Sequence, residues 1–102
     1  MSEKTIMLVC AAGMSTSLLV SKMQKAAEAK GVDVKIFATA SSDADSKFES
    51  EHPDVLLLGP QVRYMLDDFK KKLSIPVEVI NMQDYGMMNG EKVLDQALNL
   101  IK

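Results

Sequence analysis

One cysteine, Cys10, stands where a short apolar segment meets a turn of small and hydroxyl-bearing residues. The segment 6–9 reads Ile-Met-Leu-Val, and the turn 11–17 reads Ala-Ala-Gly-Met-Ser-Thr-Ser. Small side chains let such a turn curl so that successive backbone N–H groups point inward and bind an anion. The dipole of a following helix favours negative charge at the same place. The pattern therefore favours a thiolate on Cys10, or a phosphoryl group carried on its sulfur.

We predict that Cys10 becomes covalently phosphorylated and that the turn after it binds the phosphoryl group. The predicted phosphate-binding residues are Ala11, Ala12, Gly13, Met14, Ser15, Thr16 and Ser17. The three hydroxyls can cap the helix or bond phosphate oxygens directly. A lone cysteine after an apolar strand is more often an inert core residue. The turn that follows the cysteine is what favours the functional interpretation.

Four strand–helix pairs follow one another along the chain. Apolar runs predict strands over 6–9, 32–38, 54–58 and 77–80. Helical spacing of apolar residues predicts helices from the cysteine turn to Gly31, and over 43–51, 60–73 and 90–101. Ser42 and Asp45 form a weak capping-box-like start for the second helix. The segment 81–89 is expected to be a loop.

Alternation of strands and helices implies a parallel sheet with right-handed crossovers. We predict an α/β fold: a single flavodoxin-like domain over 1–102, with a four-stranded parallel sheet in the order 2-1-3-4 flanked by helices. Ligand chemistry in such sheets lies beyond the carboxyl ends of the strands, at the switch between strands one and three. Cys10, 59–61 and 81–89 fall at that end. His52 falls at the opposite end, which argues against a Cys/His dyad.

Composition excludes several classes of function. The chain has 102 residues, 12 basic and 14 acidic side chains and a net charge of −2, and it lacks a basic stripe, so nucleic acid is not an expected partner. One cysteine makes no internal disulfide, and one histidine with one cysteine builds no metal cage, so neither a metal nor a cofactor is expected. We expect a monomer, because the chain is small. With no signal peptide or membrane span, we expect it in the cytoplasm.

The chain resembles the IIB component of the bacterial sugar phosphotransferase system (PTS), in the lactose/cellobiose/chitobiose class. The resemblance starts at Cys10 and its turn and continues through 54–61, 64–66, 76–80 and 85–86, in the right order and spacing over essentially the whole chain. It implies that Cys10 takes a phosphoryl group from a phosphohistidine on a IIA protein. The group then passes to a sugar, expected to be a β-linked disaccharide such as cellobiose, chitobiose or lactose, carried by a membrane IIC permease. It also implies a flavodoxin-like sheet, a cytoplasmic protein transiently at the inner face of the membrane, and no metal.

The loop of this family resembles that of low-molecular-weight tyrosine phosphatases, whose signature has an arginine six residues after the cysteine. That position here is Thr16. An arginine would bind a dianionic phosphate bidentately and stabilise the transition state. Amides and hydroxyls alone can hold the phosphoryl group without binding it so tightly that onward transfer stalls. Our hypothesis is that the partner supplies part of the missing cationic stabilisation.

Other residues near the predicted site each allow two interpretations. Gln61 either contacts the phosphoryl group or a partner, or is a solvated residue in the first turn of a helix. Tyr85 either contacts the phosphoryl group or a partner, or has only a packing role. Asp84 is the general acid of a phosphatase or a simple turn former. Arg63 is a rim charge or a solvated residue. Four methionines form a soft apolar rim or fill the core, namely Met14, Met82, Met87 and Met88.

Two other functions remain open at this stage. One is a stand-alone phosphatase or arsenate-reductase-like enzyme that uses Cys10 as its nucleophile, against which Thr16 counts. The other is a non-enzymatic flavodoxin-like binding module with a buried Cys10. The first predicts turnover of a small substrate, and the second predicts no labelled intermediate.

Overall fold

Four strands and five helices alternate along the chain in the computed structural model, which describes residues 4–10 and 14–101, with side chains over 4–10 and 17–101. The strands are β1 (Lys4–Cys10), β2 (Val34–Ala40), β3 (Val55–Leu58) and β4 (Val77–Val79). The helices are α1 (Met14–Lys30), α2 (Ala44–Glu51), α3 (Leu66–Lys72), α4 (Met82–Gly86) and α5 (Gly90–Ile101). Two 3₁₀ segments, Ser41–Asp43 and Pro60–Met65, lead into α2 and α3.

The strands form one parallel sheet in the order β2-β1-β3-β4. This confirms the predicted fold class and strand order. Cys10 is paired with Ala40 of β2, and Val9 is paired with Leu58 of β3. The crossovers therefore reverse direction between β1 and β3, where open α/β sheets place their ligands.

Both faces of the sheet are buried, which explains the continuous apolar run of β1. Ile6 and Leu8 pack on the face covered by α1 and α5. Met7 and Val9 pack on the opposite face with α2, α3 and the 3₁₀ helix between β3 and α3. All four side chains are fully buried. A central strand of a parallel sheet has no solvent face, so it carries no polar alternation.

The second strand begins at Val34, two residues later than predicted. Gly31 has φ 68°, the left-handed conformation that ends a helix. The N–H groups of Gly31 and Val32 donate to the carbonyls of Glu28 and Ala27 (3.2 and 2.9 Å). Val32 is thus held by the end of α1, and the strand begins only after that hydrogen bond.

The predicted continuous helix over 60–73 is wrong, because it is broken near its start. Val62 has φ −118° and ψ 24°, outside helical values, and its side chain is buried in the core. Its N–H donates to the carbonyl of Gly59 (3.0 Å), a 3₁₀-type hydrogen bond. The chain therefore runs as a 3₁₀ helix through Met65, and α3 begins at Leu66.

The predicted capping box of Ser42 and Asp45 is not formed. The N-cap of α2 is Asp43, which makes no side-chain cap hydrogen bond, and the helix is entered through the 3₁₀ turn. The carboxylate of Asp45 instead pairs with Lys72 at the end of α3 (Nζ–Oδ1 3.2 Å). The ammonium of Lys72 also lies 5.0 Å from the ring centroid of Phe69.

Residues 81–89 contain a short helix, α4, where a loop was predicted. Asn81 caps it, since its Oδ1 accepts a hydrogen bond from the N–H of Asp84 (3.1 Å). Asparagine followed three residues later by aspartate is the sequence signal that predicts such a start. Helix α5 spans 90–101 as predicted. Over 4–10 and 14–101, no helix is both long and apolar enough to cross a membrane.

Candidate functional site

Cys10 is the last residue of β1, at the carboxyl edge of the sheet. Its side chain is only 2% exposed, which is the degree of burial that an inert core residue would also show. The neighbouring strand ends close by, because the N–H of Gly59, just after β3, donates to the carbonyl of Val9 (2.8 Å). The thiol therefore lies at the switch point between β1 and β3.

The wall beside the thiol is formed by the main chain of Gly59. A Cβ placed on Gly59 would lie 2.9 Å from Sγ of Cys10 and 2.9 Å from Oε1 of Gln61. These two atoms flank the same point, so the Gln61 amide lies beside the thiol. The thiol is buried next to a polar group as well as hydrocarbon.

The side-chain amide of Gln61 is hydrogen-bonded to Tyr85 and lies near the thiol. Its Nε2 donates to the Tyr85 hydroxyl (3.3 Å), while its Oε1 and the Cys10 Sγ are both 2.9 Å from the position that a Cβ on Gly59 would take. Tyr85 is half-buried against the core under α1 and α5. Residues from the carboxyl ends of three different strands thus lie near one another. They are Cys10 at the end of β1, Gln61 after β3 and Tyr85 after β4.

Most of the predicted phosphate-binding turn lies outside the described residues. Ala11, Ala12 and Gly13 are outside them, as are the side chains of Met14, Ser15 and Thr16. Helix α1 begins at Met14, and Ser17 is exposed in its first turn. The first residue of this 17-residue helix is thus four positions after Cys10 in the sequence.

Three other candidates have structural explanations. Asp84 lies in the first turn of α4, where its N–H is capped by Asn81 and its carbonyl accepts from Asn89. Arg63 is an exposed residue of the 3₁₀ helix. His52 caps the carboxyl end of α2 with φ 51°, before β3 and so at the opposite edge of the sheet from Cys10. Within 4–10 and 14–101, no group of three or more His, Cys, Asp or Glu side chains is placed to hold a metal ion.

Four large apolar side chains are exposed among the residues whose side chains the structure describes. We call the following four residues, each in a segment that follows the carboxyl end of a strand, the apolar rim: Leu18, Tyr64, Met82 and Met87. Tyr64 and Met87 are the most exposed, at 76% and 67%. Met88 instead packs against the core. The predicted methionine rim is therefore divided: Met82 and Met87 are exposed, Met88 is half-buried against the core, and the Met14 side chain is not described.

The closeness of Gly59 to the thiol could not be inferred from residue types. Gly-Pro at 59–60 predicts only a strand end and a helix start. Glycine has no side chain from which to infer a contact, and its closeness to Cys10 follows from the pairing of β1 with β3.

A parallel α/β sheet with a cysteine at its switch point, and a helix that begins four residues later, defines a flavodoxin-like protein with a candidate anion site. A model of the family described as "PTS system, Lactose/Cellobiose specific IIB subunit" matches residues 5–96. The chain belongs to this family: it is a IIB component of a cellobiose/lactose-type sugar phosphotransferase system, and such components act as phosphotransferases.

Relatives and solved structures agree with this assignment. The chain is 57% identical to the PTS system galactose-specific EIIB component of Lactococcus lactis subsp. cremoris, over 99% of each chain. It is 41% identical to the oligo-beta-mannoside-specific EIIB component of Bacillus subtilis, over 96% of each chain. The solution structure of a cellobiose-specific IIB component from Borrelia burgdorferi has a TM-score of 0.81 and 40% identity, covering 98% of this chain and 93% of that one.

Proposed function

We propose that Cys10 is the phosphoryl carrier of this IIB component. Its thiolate attacks the phosphorus of a phosphohistidine on a IIA protein, an S–P bond forms, the P–N bond breaks, and the imidazole keeps the electron pair. A hydroxyl of the sugar then attacks the same phosphorus, the S–P bond breaks, the thiolate leaves, and the hydroxyl proton is lost. The observation that carries this proposal is the position of Cys10 at the switch point, near the Gln61 amide and four residues before the first residue of α1.

The phosphoryl group is held by the turn 11–17. Its small and hydroxyl-bearing residues are suited to an anion nest, and the N–H groups of the first turn of α1 add donors. The helix dipole contributes about 0.3–1 kcal/mol to a nearby negative charge. The phosphoryl group is therefore bound with moderate strength. A carrier needs moderate binding because it must release the phosphoryl group in the next step.

Gln61 and Tyr85 orient the phosphoryl group or the incoming partner. The Gln61 amide has both a donor and an acceptor, and its link to Tyr85 restricts the rotamers it adopts beside Cys10. Ordering the amide in advance reduces the entropy cost of placing it against a developing phosphoryl charge.

The IIA protein and the IIC permease dock on one face. Both exchange phosphate with the same sulfur, so each must approach the carboxyl edge of the sheet. The apolar rim supplies exposed apolar area for these contacts, and methionine side chains adapt to more than one partner. Because both partners use one face in turn, their contacts must form and dissociate quickly. The IIB component acts as a monomer, at the inner face of the membrane.

The sugar is proposed to be a β-linked disaccharide. Relatives with the same 57% identity carry the names galactose-specific and cellobiose-specific. These two relatives are equally similar to this chain but are named for different sugars. This is expected of a carrier that transfers the same phosphoryl group whichever sugar receives it. Selectivity for the sugar then resides mainly in the permease.

The proposal is tested by comparing two phosphoryl donors. We expect rapid transfer from a IIA protein of this class carrying radiolabelled phosphohistidine, and hydrolysis of p-nitrophenyl phosphate no faster than in buffer. Cys10→Ser is the control and should lose the transfer. Rapid hydrolysis of the aryl phosphate with no transfer from IIA would contradict the proposal and favour the phosphatase alternative.

A further inference from the structure

The side chain of Gln96, on α5, bridges the end of β4 and the start of α4. Its Nε2 donates to the carbonyl of Val79 (2.9 Å) and to Oε1 of Glu78 (3.3 Å). Its Oε1 accepts from the N–H of Asn81 (3.1 Å). The Gln96 amide thus forms hydrogen bonds with two backbone groups at the end of β4, the carbonyl of Val79 and the N–H of Asn81.

This pairing takes the place of a neighbouring strand. β4 is an edge strand, with β3 on one side only. The N–H of Ile80 points toward β3 and donates to the carbonyl of Leu58 (2.8 Å). Because successive residues of a strand direct their backbone groups to opposite sides, those of Val79 and Asn81 point outward. Gln96 pairs with both, and it therefore fixes the direction in which the chain leaves the sheet.

That direction determines where Tyr85 lies. Asn81 is the N-cap of α4: its Oδ1 accepts from the N–H of Asp84, and its carbonyl accepts from the N–H of Tyr85 (2.9 Å). The Tyr85 hydroxyl in turn accepts from Gln61, whose Oε1 lies next to Gly59, as the Cys10 thiol does. A continuous series of hydrogen bonds and one short helix joins Gln96 to the thiol's neighbour.

We propose that Gln96 is a positioning residue for phosphoryl transfer, acting through α4, Tyr85 and Gln61. This inference rests on the proposed function of Cys10. Gln96 does not touch the phosphoryl group. It orients α4, and the Tyr85 hydroxyl on α4 in turn orients the Gln61 amide near the sulfur.

The test is a double-mutant cycle in the full chain. Gln96→Leu keeps the approximate size of the side chain and removes its hydrogen bonds, and Tyr85→Phe removes the hydroxyl that accepts from Gln61. We expect each single variant to slow single-turnover transfer from radiolabelled phospho-IIA, at saturating donor, about tenfold. The double variant should be no slower than Tyr85→Phe alone, because the effect of Gln96 passes through that hydroxyl. The proposal would be overturned if the fold-reductions in rate of the two single variants multiplied in the double variant. It would also be overturned if Gln96→Leu transferred phosphate at the wild-type rate.

Two further measurements separate positioning from general destabilisation and from the proposed function itself. Val93→Ala, a buried change on α5, is the control and should leave the transfer rate of the folded protein unchanged. The side-chain amide resonances of Gln61, followed by NMR without any phosphate donor, should move in both Gln96→Leu and Tyr85→Phe. Unmoved resonances in Gln96→Leu would reject the positioning role. Moved resonances in a chain that IIA never phosphorylates would reject only the carrier function.

Discussion

Replacing Gly59 by alanine is expected to slow phosphoryl transfer to Cys10 about 100-fold while the chain stays folded. The new Cβ would lie 2.9 Å from both Cys10 Sγ and Gln61 Oε1, closer than real Cβ contacts come. Gln61 is an exposed side chain and can swing away, which removes its amide from the site. If the thiol moves instead, the sulfur itself is misplaced.

The backbone at Gly59 tolerates this substitution, which makes the test specific to the site. Its φ of −62° and ψ of 150° are extended values that alanine adopts readily. The measurement is the single-turnover transfer rate together with the thermal unfolding curve. Gly86→Ala is the matched control, because a Cβ there meets nothing within 4 Å. A folded Gly59→Ala protein that accepts phosphate at the wild-type rate would show that the thiol's contact with Gly59 and Gln61 is irrelevant to transfer.

Among the four glycines that the structure describes, Gly90 is the one whose replacement by alanine is expected to destabilise the chain most. A Cβ at Gly90 would lie 2.6 Å from the carbonyl carbon of Lys22 and 2.7 Å from the N atom of Met23. These are backbone atoms of α1, so no side-chain rotation relieves the clash and the two helices must separate. Separation opens the core between Met23 and Leu94. Overpacking of this kind costs about 1–3 kcal/mol in the free energy of unfolding.

Thermal and denaturant unfolding measure this effect. For a domain of this length, each kcal/mol lowers Tm by roughly 4–8 °C. Gly86→Ala again serves as the control and should change the free energy of unfolding by less than about 0.5 kcal/mol, as surface changes usually do. An unchanged Tm in Gly90→Ala would mean that α1 and α5 do not pack as closely as the structure places them.

Much of the fold was predictable because its signals are local. Short segments rich in apolar residues predicted the four strands, and their alternation with helices predicted a parallel sheet. Gly31 ended α1 as expected, with the positive φ that glycine adopts without strain. The break at Val62 was not predictable from helical spacing, because the spacing of Val62, Met65 and Phe69 fits a helix. The buried position of Val62 on the sheet prevails over that local pattern.

The site was predictable in part. Residue types singled out Cys10 and its turn as the candidate site, which stays a prediction, and the strand order placed Gln61 at the same edge as the cysteine, where the structure also has it. Helix α4 was missed because its five residues have no apolar periodicity, and its cap at Asn81 is the main local signal. The contacts of Gly59 and the bridge made by Gln96 depend on packing between segments distant in sequence. No local pattern reports such contacts.

The central claim, that the sulfur of Cys10 carries the phosphoryl group, is tested most directly by locating the phosphate. After incubation with phosphorylated IIA protein, intact mass followed by peptide mapping identifies the modified residue. We predict one phosphoryl group per chain, on Cys10, and an unlabelled chain in Cys10→Ser. Phosphate on another residue, or an unmodified wild-type chain after complete exposure to the donor, would contradict the account.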